Sequence, residues 1–383
     1  AGWMMCYFWK CLIGQFTAAP MTTDEVAAAF GALTGDPAQM LFWAVLATVL
    51  AFGICGLGVV KGVERISKWM MTGLLGLIVV LAVHSVLLPG AAAGIRFYLV
   101  PDFGAMREQG VGNVIFAAMS QAFFTLSLGI GAMSICGSYK EKDESLTGDA
   151  VSVTVLDTFV ALMAGLIIIP ACFSFGIEPG AGPSLIFITL PNIFNQMAGG
   201  RIWGTLFFLF MSFAAISTVI TVFENILACS MDLWHWSRRK AVLVDMAAMI
   251  LLALPCVLGF NVLAGFQPLG AGSGVLDLED FLVSENLLPL GSVVYLCFCV
   301  SKRGWGWENF LAEADIGKGM RFPRWLRGYM TWVLPVIVVV IYLKGYWDMF
   351  RPKGVGYLIP WMTVAALFLA VIGWIVFGKK KQK

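Results

Sequence analysis

The chain has 383 residues, 60% of them hydrophobic and only 13% charged, with a formal net charge of +2 and a mean hydropathy of +0.86. A soluble domain carries about 25% charged residues, so the composition excludes a soluble globular protein and points to an all-α, polytopic membrane helix bundle. The nine cysteines all fall inside apolar runs, which argues against a disulfide framework or a metal site; no organic cofactor is expected, and no nucleic-acid signature is present.

A helix needs about 20 apolar residues to cross a bilayer. Ten candidate spans follow in order: 1–18, 40–60, 67–90, 112–138, 149–175, 202–229, 241–263, 279–301, 325–346 and 356–378. Segments rich in Pro, Gly and charge separate them, and the external connections 19–39, 91–111, 177–201 and 264–278 read as glycine-rich loops. Within them, 183–200 carries Leu185, Ile186, Phe187, Ile188, Ile193 and Phe194. That is too apolar for a solvated loop and too short to span, so a hairpin folded onto the external face of the bundle is expected. When alternate connections are assigned to one side, the segments 61–68, 140–142, 238–240, 302–327 and 379–383 carry eighteen Lys and Arg, against six on the other side. The positive-inside bias then places the C-terminus in the cytoplasm of a multi-pass cell-membrane protein.

Polar residues inside these spans mark where chemistry is expected. His84, near the external end of the third span, reads as a packing residue. The fourth span is apolar at both ends but holds Gln121, Thr125, Ser127, Gly129 and Gly131 in its middle. Glycine weakens a helix by about 1 kcal/mol relative to alanine, so Ser127–Gly131 is a place for the helix to unwind. Unwound backbone at membrane depth is tolerated where protein, water or a ligand satisfies it, and secondary transporters hold substrate and Na⁺ at such breaks. The alternative is a continuous helix whose small residues pack a neighbour. Asp157 lies about two turns into the fifth span with no basic residue on that helix. A charge at this depth costs about 2.5–3.5 kcal/mol on insertion scales, which a bound cation would offset. The alternative is a protonated or hydrogen-bonded structural Asp. In the sixth span, Ala214, Ser217 and Thr218 offer a carbonyl and two hydroxyls on one face, the oxygen shell that hard cations prefer, although such hydroxyls also bond their own helix. Glu224, Asp232, Glu279, Asp280 and Glu285 sit nearer the span ends and read mostly as solvated charges. No nucleophile–base or paired-carboxylate constellation with catalytic spacing occurs, so an enzyme is not expected.

The run from Gln121 to Gly131, followed by Gly137, Ser138 and Tyr139, closely resembles the sixth transmembrane helix of the neurotransmitter:sodium symporter family, which has the leucine-transporter inverted-repeat fold. The stretch from Lys61 to Lys68 resembles its loop between helices four and five, and Phe97 to Phe103 its third external loop. The likeness runs over essentially the whole chain, whose spans would be family helices three to twelve. It implies one transmembrane transporter domain over 1–383, with 1–90 the remnant of a first inverted repeat, 112–301 a second repeat and 325–378 two C-terminal helices.

The resemblance also implies site roles. Thr125 and Asp157 would be ligands of a first sodium site, and the Ala214 carbonyl, Ser217 and Thr218 ligands of a second. Phe124 would roof the substrate, and the carbonyls of Phe124, Thr125 and Ser127 would take its ammonium group. Ile130, Thr218 and Val222 would shape the side-chain pocket. Asp280 would be the acidic half of an external gate, and Asp232, with Tyr139 nearby, that of an internal gate. Two departures stand out. Family helices one and two have no counterpart, so an N-terminally truncated chain is expected. Ala161, one turn after Asp157, replaces the acid that some members fix there, and Asp157 itself would supply the negative charge, so no chloride dependence is expected. The functional expectation is a sodium-coupled symporter of amino acids or related small amines, with Na⁺ as coupling ion and alternating access as mechanism. The alternative is a solute-binding or regulatory membrane protein that does not transport.

Overall fold

The computed structural model describes residues 1–17, 21–58, 63–139, 145–176 and 182–377, and every regular element among them is helical. In chain order, α1 (Gly2–Leu12), α2 (Thr23–Gly35), α3 (Pro37–Gly56) and α4 (Arg65–Val86) come first. The short α5 (Ala91–Leu99) and α6 (Phe103–Gln109) lead to α7 (Val111–Thr125) and α8 (Ala132–Ser138). Then follow α9 (Leu146–Ser174), α10 (Leu190–Gln196), α11 (Gly200–Trp234) and α12 (Arg238–Gly259). The last third holds α13 (Val275–Asp280), α14 (Leu288–Val300), α15 (Trp307–Ala314), α16 (Leu326–Gly328), α17 (Leu334–Phe350) and α18 (Val355–Phe377).

Eight helices among the described residues are long and apolar enough to cross a membrane, counting Val275–Val300 and Leu326–Lys353 as continuous. Ten spans were expected, and two fall short of that length. The first is only the 11-residue α1, and the fourth is divided between α7 and α8. The loops also hold more order than expected. Asp36 accepts from the N–H groups of Ala38 and Gln39 and Pro37 opens α3, while Thr22 and Glu25 form a reciprocal capping box on α2, which satisfies amides that a helix start otherwise leaves unpaired. Of the basic residues behind the orientation, Lys61, Lys140, Lys142 and the four C-terminal lysines lie outside the described residues.

The chain forms two compact units, one of Ala1–Asp102 and Thr158–Phe266, the other of Phe103–Asp157 and Gln267–Lys383. They interleave along the sequence, so this is a division by packing rather than by repeat. In the first unit, α11 is the common partner of α1, α3, α4, α10 and α12. The apolar segment expected to fold onto the bundle as a hairpin packs into it instead as one helical run, Leu185–Gln196: Phe187, Leu190, Ile193 and Phe194 are buried in one core with Tyr7, Phe207 and Phe208. Two arginines close helix ends in this unit. Arg201 donates from Nε and Nη2 to the Leu12 carbonyl at 3.0 and 2.7 Å, and Arg238 donates likewise to the Cys55 carbonyl at 2.9 and 2.7 Å. Each meets a carbonyl in the last turn of a helix, where intrahelical partners run out; the Cys55 carbonyl also accepts from the Gly58 N–H at 3.0 Å. The second unit is built on α14, α17 and α18, around Phe281, Tyr342, Tyr346 and Phe350, with Phe350 stacked on Trp361 at 4.9 Å.

Three π-helical stretches, Leu185–Thr189, Phe281–Leu287 and Tyr329–Val333, each end two residues before a proline: Pro191, Pro289 and Pro335. A proline has no N–H to give and its ring crowds the preceding turn's carbonyl. Widening that turn lets the helix continue through the proline instead of ending there.

Candidate functional site: a broken helix and its oxygens

The helix that begins at Val111 stops at Thr125 and restarts at Ala132. Between them the backbone turns through left-handed conformations at Ser127 (φ +50°), Gly129 (φ +85°) and Gly131 (φ +88°). Two of the three are glycines, which adopt such angles without a Cβ penalty; Ser127 is an uncommon non-glycine in this region. Ser127 N–H donates to the Phe124 carbonyl at 3.0 Å and Leu128 N–H to the Phe123 carbonyl at 3.1 Å. The carbonyls of Thr125 and Ser127 receive no hydrogen bond among the described residues.

A tight contact fixes the break. A Cβ added at Gly129 would collide with the Leu288 carbonyl oxygen and lie 2.6 Å from Ser292 N, and one added at Gly291 would collide with the Gly129 carbonyl. The break and α14 therefore meet backbone to backbone, which only glycine on both sides allows. Gly291 and Ser292 were not singled out from the sequence; the signal available was a small-residue pair two residues after Pro289. Beside this contact lies a cavity of about 370 Å³, lined by Ser127, Gly129, Ser292, Tyr295 and Met330 among others.

The structure brings Thr125 and Asp157 together across 32 residues of sequence. The Thr125 hydroxyl donates to Asp157, 3.2 Å from Oδ1 and 3.1 Å from Oδ2. Thr125 lies at the last helical position before the break, so the carboxylate is tied to the unwound segment itself. Phe124 beside it is 55% exposed, and Ile130 is half-buried. Tyr139, at the end of α8, is exposed. Asp280 is also exposed and accepts from the Ser284 hydroxyl at 2.8 Å.

Most of the other sequence-derived residues belong to the first unit. On α11 the Ala214 carbonyl accepts from both the Ser217 hydroxyl (2.9 Å) and the Thr218 hydroxyl (3.1 Å). Three oxygens thus converge on one turn, with the hydroxyls bonded to their own helix. Val222 is half-buried one turn further on, and Asp232 is exposed near the end of α11. Glu224 corrects the reading of end charges as solvated: it is buried, and Arg238 holds it by two charge-assisted bonds, one of 3.0 Å to Oε1 and a second to Oε2. Removing one partner of such a pair typically costs about 3–5 kcal/mol. Glu285 is half-buried too, with its carboxylate against Gly345. His84 is a packing residue as expected, stacked on Trp203 at 3.7 Å between ring centroids. No group of three or more His, Cys, Asp or Glu suited to a transition metal occurs among the described residues.

A bundle of apolar helices with one helix interrupted at its polar middle, and a carboxylate bound to the interruption, has the architecture of a secondary membrane transporter. The comparisons make the assignment specific. Residues 34–378 match the Sodium:neurotransmitter symporter family, and the chain belongs to that family, whose members are transporters rather than enzymes. It is 30% identical over 351 residues to an uncharacterised sodium-dependent transporter of Haemophilus influenzae, and 31% identical over 350 residues to the uncharacterised sodium-dependent transporter YhdH of Bacillus subtilis. Each alignment covers 90% of this chain and 74% of the relative. Among solved structures, MhsT in complex with L-phenylalanine is similar with a TM-score of 0.76 and 35% identity, over 89% of this chain and 76% of that one. The protein is thus a membrane-embedded member of a sodium-dependent transporter family with the leucine-transporter fold.

Proposed function

We propose that this protein couples the inward movement of Na⁺ to uptake of an amino acid by alternating access, from a cell membrane in which its C-terminus is cytoplasmic. The observation that carries this reading is the hydroxyl–carboxylate pair of Thr125 and Asp157 at the edge of the break. Na⁺ is a hard cation that takes oxygen ligands. Thr125 Oγ1 donates its proton to Asp157 and so keeps its lone pairs for a cation, while Asp157 supplies the negative charge that makes such a site favourable at membrane depth. The Ala214 carbonyl, Ser217 and Thr218 provide the oxygens of a second sodium site. Phe124 covers the substrate, whose ammonium group meets the carbonyls of Phe124, Thr125 and Ser127, and Ile130, Thr218 and Val222 shape the pocket for its side chain. Asp280 serves the external gate, and Asp232 with Tyr139 the internal one. The apolar Ile130 and Val222 favour a hydrophobic amino acid, and the phenylalanine bound to the similar MhsT supports that class. Because Asp157 supplies the fixed charge, chloride is not required.

Radiolabelled amino-acid uptake into proteoliposomes tests the proposal. Uptake should need an inward Na⁺ gradient, collapse when K⁺ replaces Na⁺, and persist when gluconate replaces chloride. Equal uptake in Na⁺ and K⁺ would defeat the reading, and Na⁺-dependent ligand binding with no uptake would favour a non-transporting binding protein.

A further inference from the structure

Between α15 and the start of α16 lies a cavity of about 600 Å³ whose lining includes Arg321, Arg324 and Arg327, with Trp307, Glu308 and Asp315. The proposed transport site uses none of these residues; its three arginines enter above only in the charge count that orients the chain. We propose that this cavity is a binding site for a phosphate ester, and that its occupant is the headgroup of an anionic phospholipid.

The charge arrangement supports the first half. Arginine presents a planar fork of donors that matches phosphate oxygens. The two acids in the lining are already engaged. Asp315 accepts from the Phe322 N–H at 2.7 Å, and Glu308 meets Arg327 at 3.4 Å, where both side chains are exposed, a pairing of little strength. Arg321 and Arg324 have no carboxylate within ion-pair distance among the described residues. Two guanidinium groups therefore line the cavity without an ion-pair partner, a third is held only by a weak exposed pair, and three arginines against the two carboxylates of Glu308 and Asp315 leave the lining net positive.

The surroundings support the second half. The cavity sits at the beginning of the membrane-crossing helix Leu326–Lys353. Trp325 directly precedes this helix and Trp332 lies in its first two turns, 78% and 75% exposed, and large aromatic side chains left exposed beside a span are the usual mark of the headgroup layer. In the orientation proposed above, this segment lies on the cytoplasmic side, where basic residues next to a span attract anionic lipids. A free phosphate ester would be recognised by the same arginines, so the test must separate the two sources.

Purified protein would be delipidated and titrated with dioctanoyl phosphatidylglycerol, dioctanoyl phosphatidylcholine or inorganic phosphate, with binding read by native mass spectrometry and thermal stabilisation. Phosphatidylglycerol should bind in preference to phosphatidylcholine, with inorganic phosphate a poor competitor. The double variant Arg321→Gln/Arg324→Gln should weaken that binding by about tenfold or more, the scale expected for lost hydrogen bonds between charged groups. Glu308→Gln, which frees Arg327, should tighten it, and Arg351→Gln, at the far end of the same span, should leave it unchanged. Helical circular dichroism and size-exclusion profiles show that each variant is folded. Wild-type phosphatidylglycerol affinity in the folded double variant would overturn the site. Equal binding of phosphatidylcholine, or inorganic phosphate that binds and competes as well as the lipid, would overturn the lipid as its occupant.

Discussion

In the proposed function, ion coupling turns on Asp157 and Thr125. A carboxylate inside an apolar helix is tolerated only with a partner, and the partner shown here is a hydroxyl at the lip of the unwound segment. A hydroxyl alone does not balance a negative charge, and the proposed Na⁺ is the complement that would. Asp157→Ala should therefore raise the Na⁺ concentration for half-maximal uptake by about tenfold or more, in line with about 1.4 kcal/mol or more of lost ion affinity. Thr125→Val should move it in the same direction by less. A Na⁺ titration of uptake in both variants provides the check, and an unchanged curve for Asp157→Ala would remove it from the site. Asp157 was visible in the sequence as an unpaired intramembrane acid, but its partner was not. Nothing in spacing links positions 125 and 157, and only the family resemblance joined them. Glu224 shows the converse. Near a helix end a carboxylate reads as solvated, and the Arg238 that buries it enters from the next helix.

At the scale of elements, the interrupted helix was legible because its cause is local. Two glycines and a serine in an apolar run lower helix propensity where lipid would otherwise enforce it. Its contact with α14 was not legible, since close backbone approach depends on tertiary packing. That contact is testable. Gly129→Ala combines a left-handed φ with a collision against Leu288 and Ser292. The left-handed conformation alone costs about 1–2 kcal/mol for a residue with a Cβ, so thermal stability in detergent should fall clearly. Gly137→Ala is the matched control: it lies within α8 with open space around it and should be neutral or stabilising by up to about 1 kcal/mol. Equal melting temperatures for the two variants would contradict the backbone contact. Other short elements carried signals that composition hid. The capping box of Thr22 and Glu25 and the Asp36–Pro37 pair are helix-start signatures inside stretches that glycine content marked as loops.

For the molecule as a whole, hydropathy placed nearly every span, because lipid leaves few alternatives to apolar helices. The two exceptions, α1 and the α7–α8 pair, are the helices too short or too interrupted for length alone to define. Orientation rests on charge asymmetry and has its own test. In a background free of native cysteines, Lys318→Cys should react with an impermeant maleimide only from the cytoplasmic side, and Glu108→Cys only from outside. The reverse pattern would invert the topology. The Gly129–Gly291 contact bears on how such a molecule could work. With no side chains between them to act as a cushion, the unwound segment and α14 touch backbone to backbone. Any rearrangement that re-aims the oxygens of the break must carry α14 with it or first prise the two strands of backbone apart, which makes this pair of glycines a mechanical linkage rather than a point of slack.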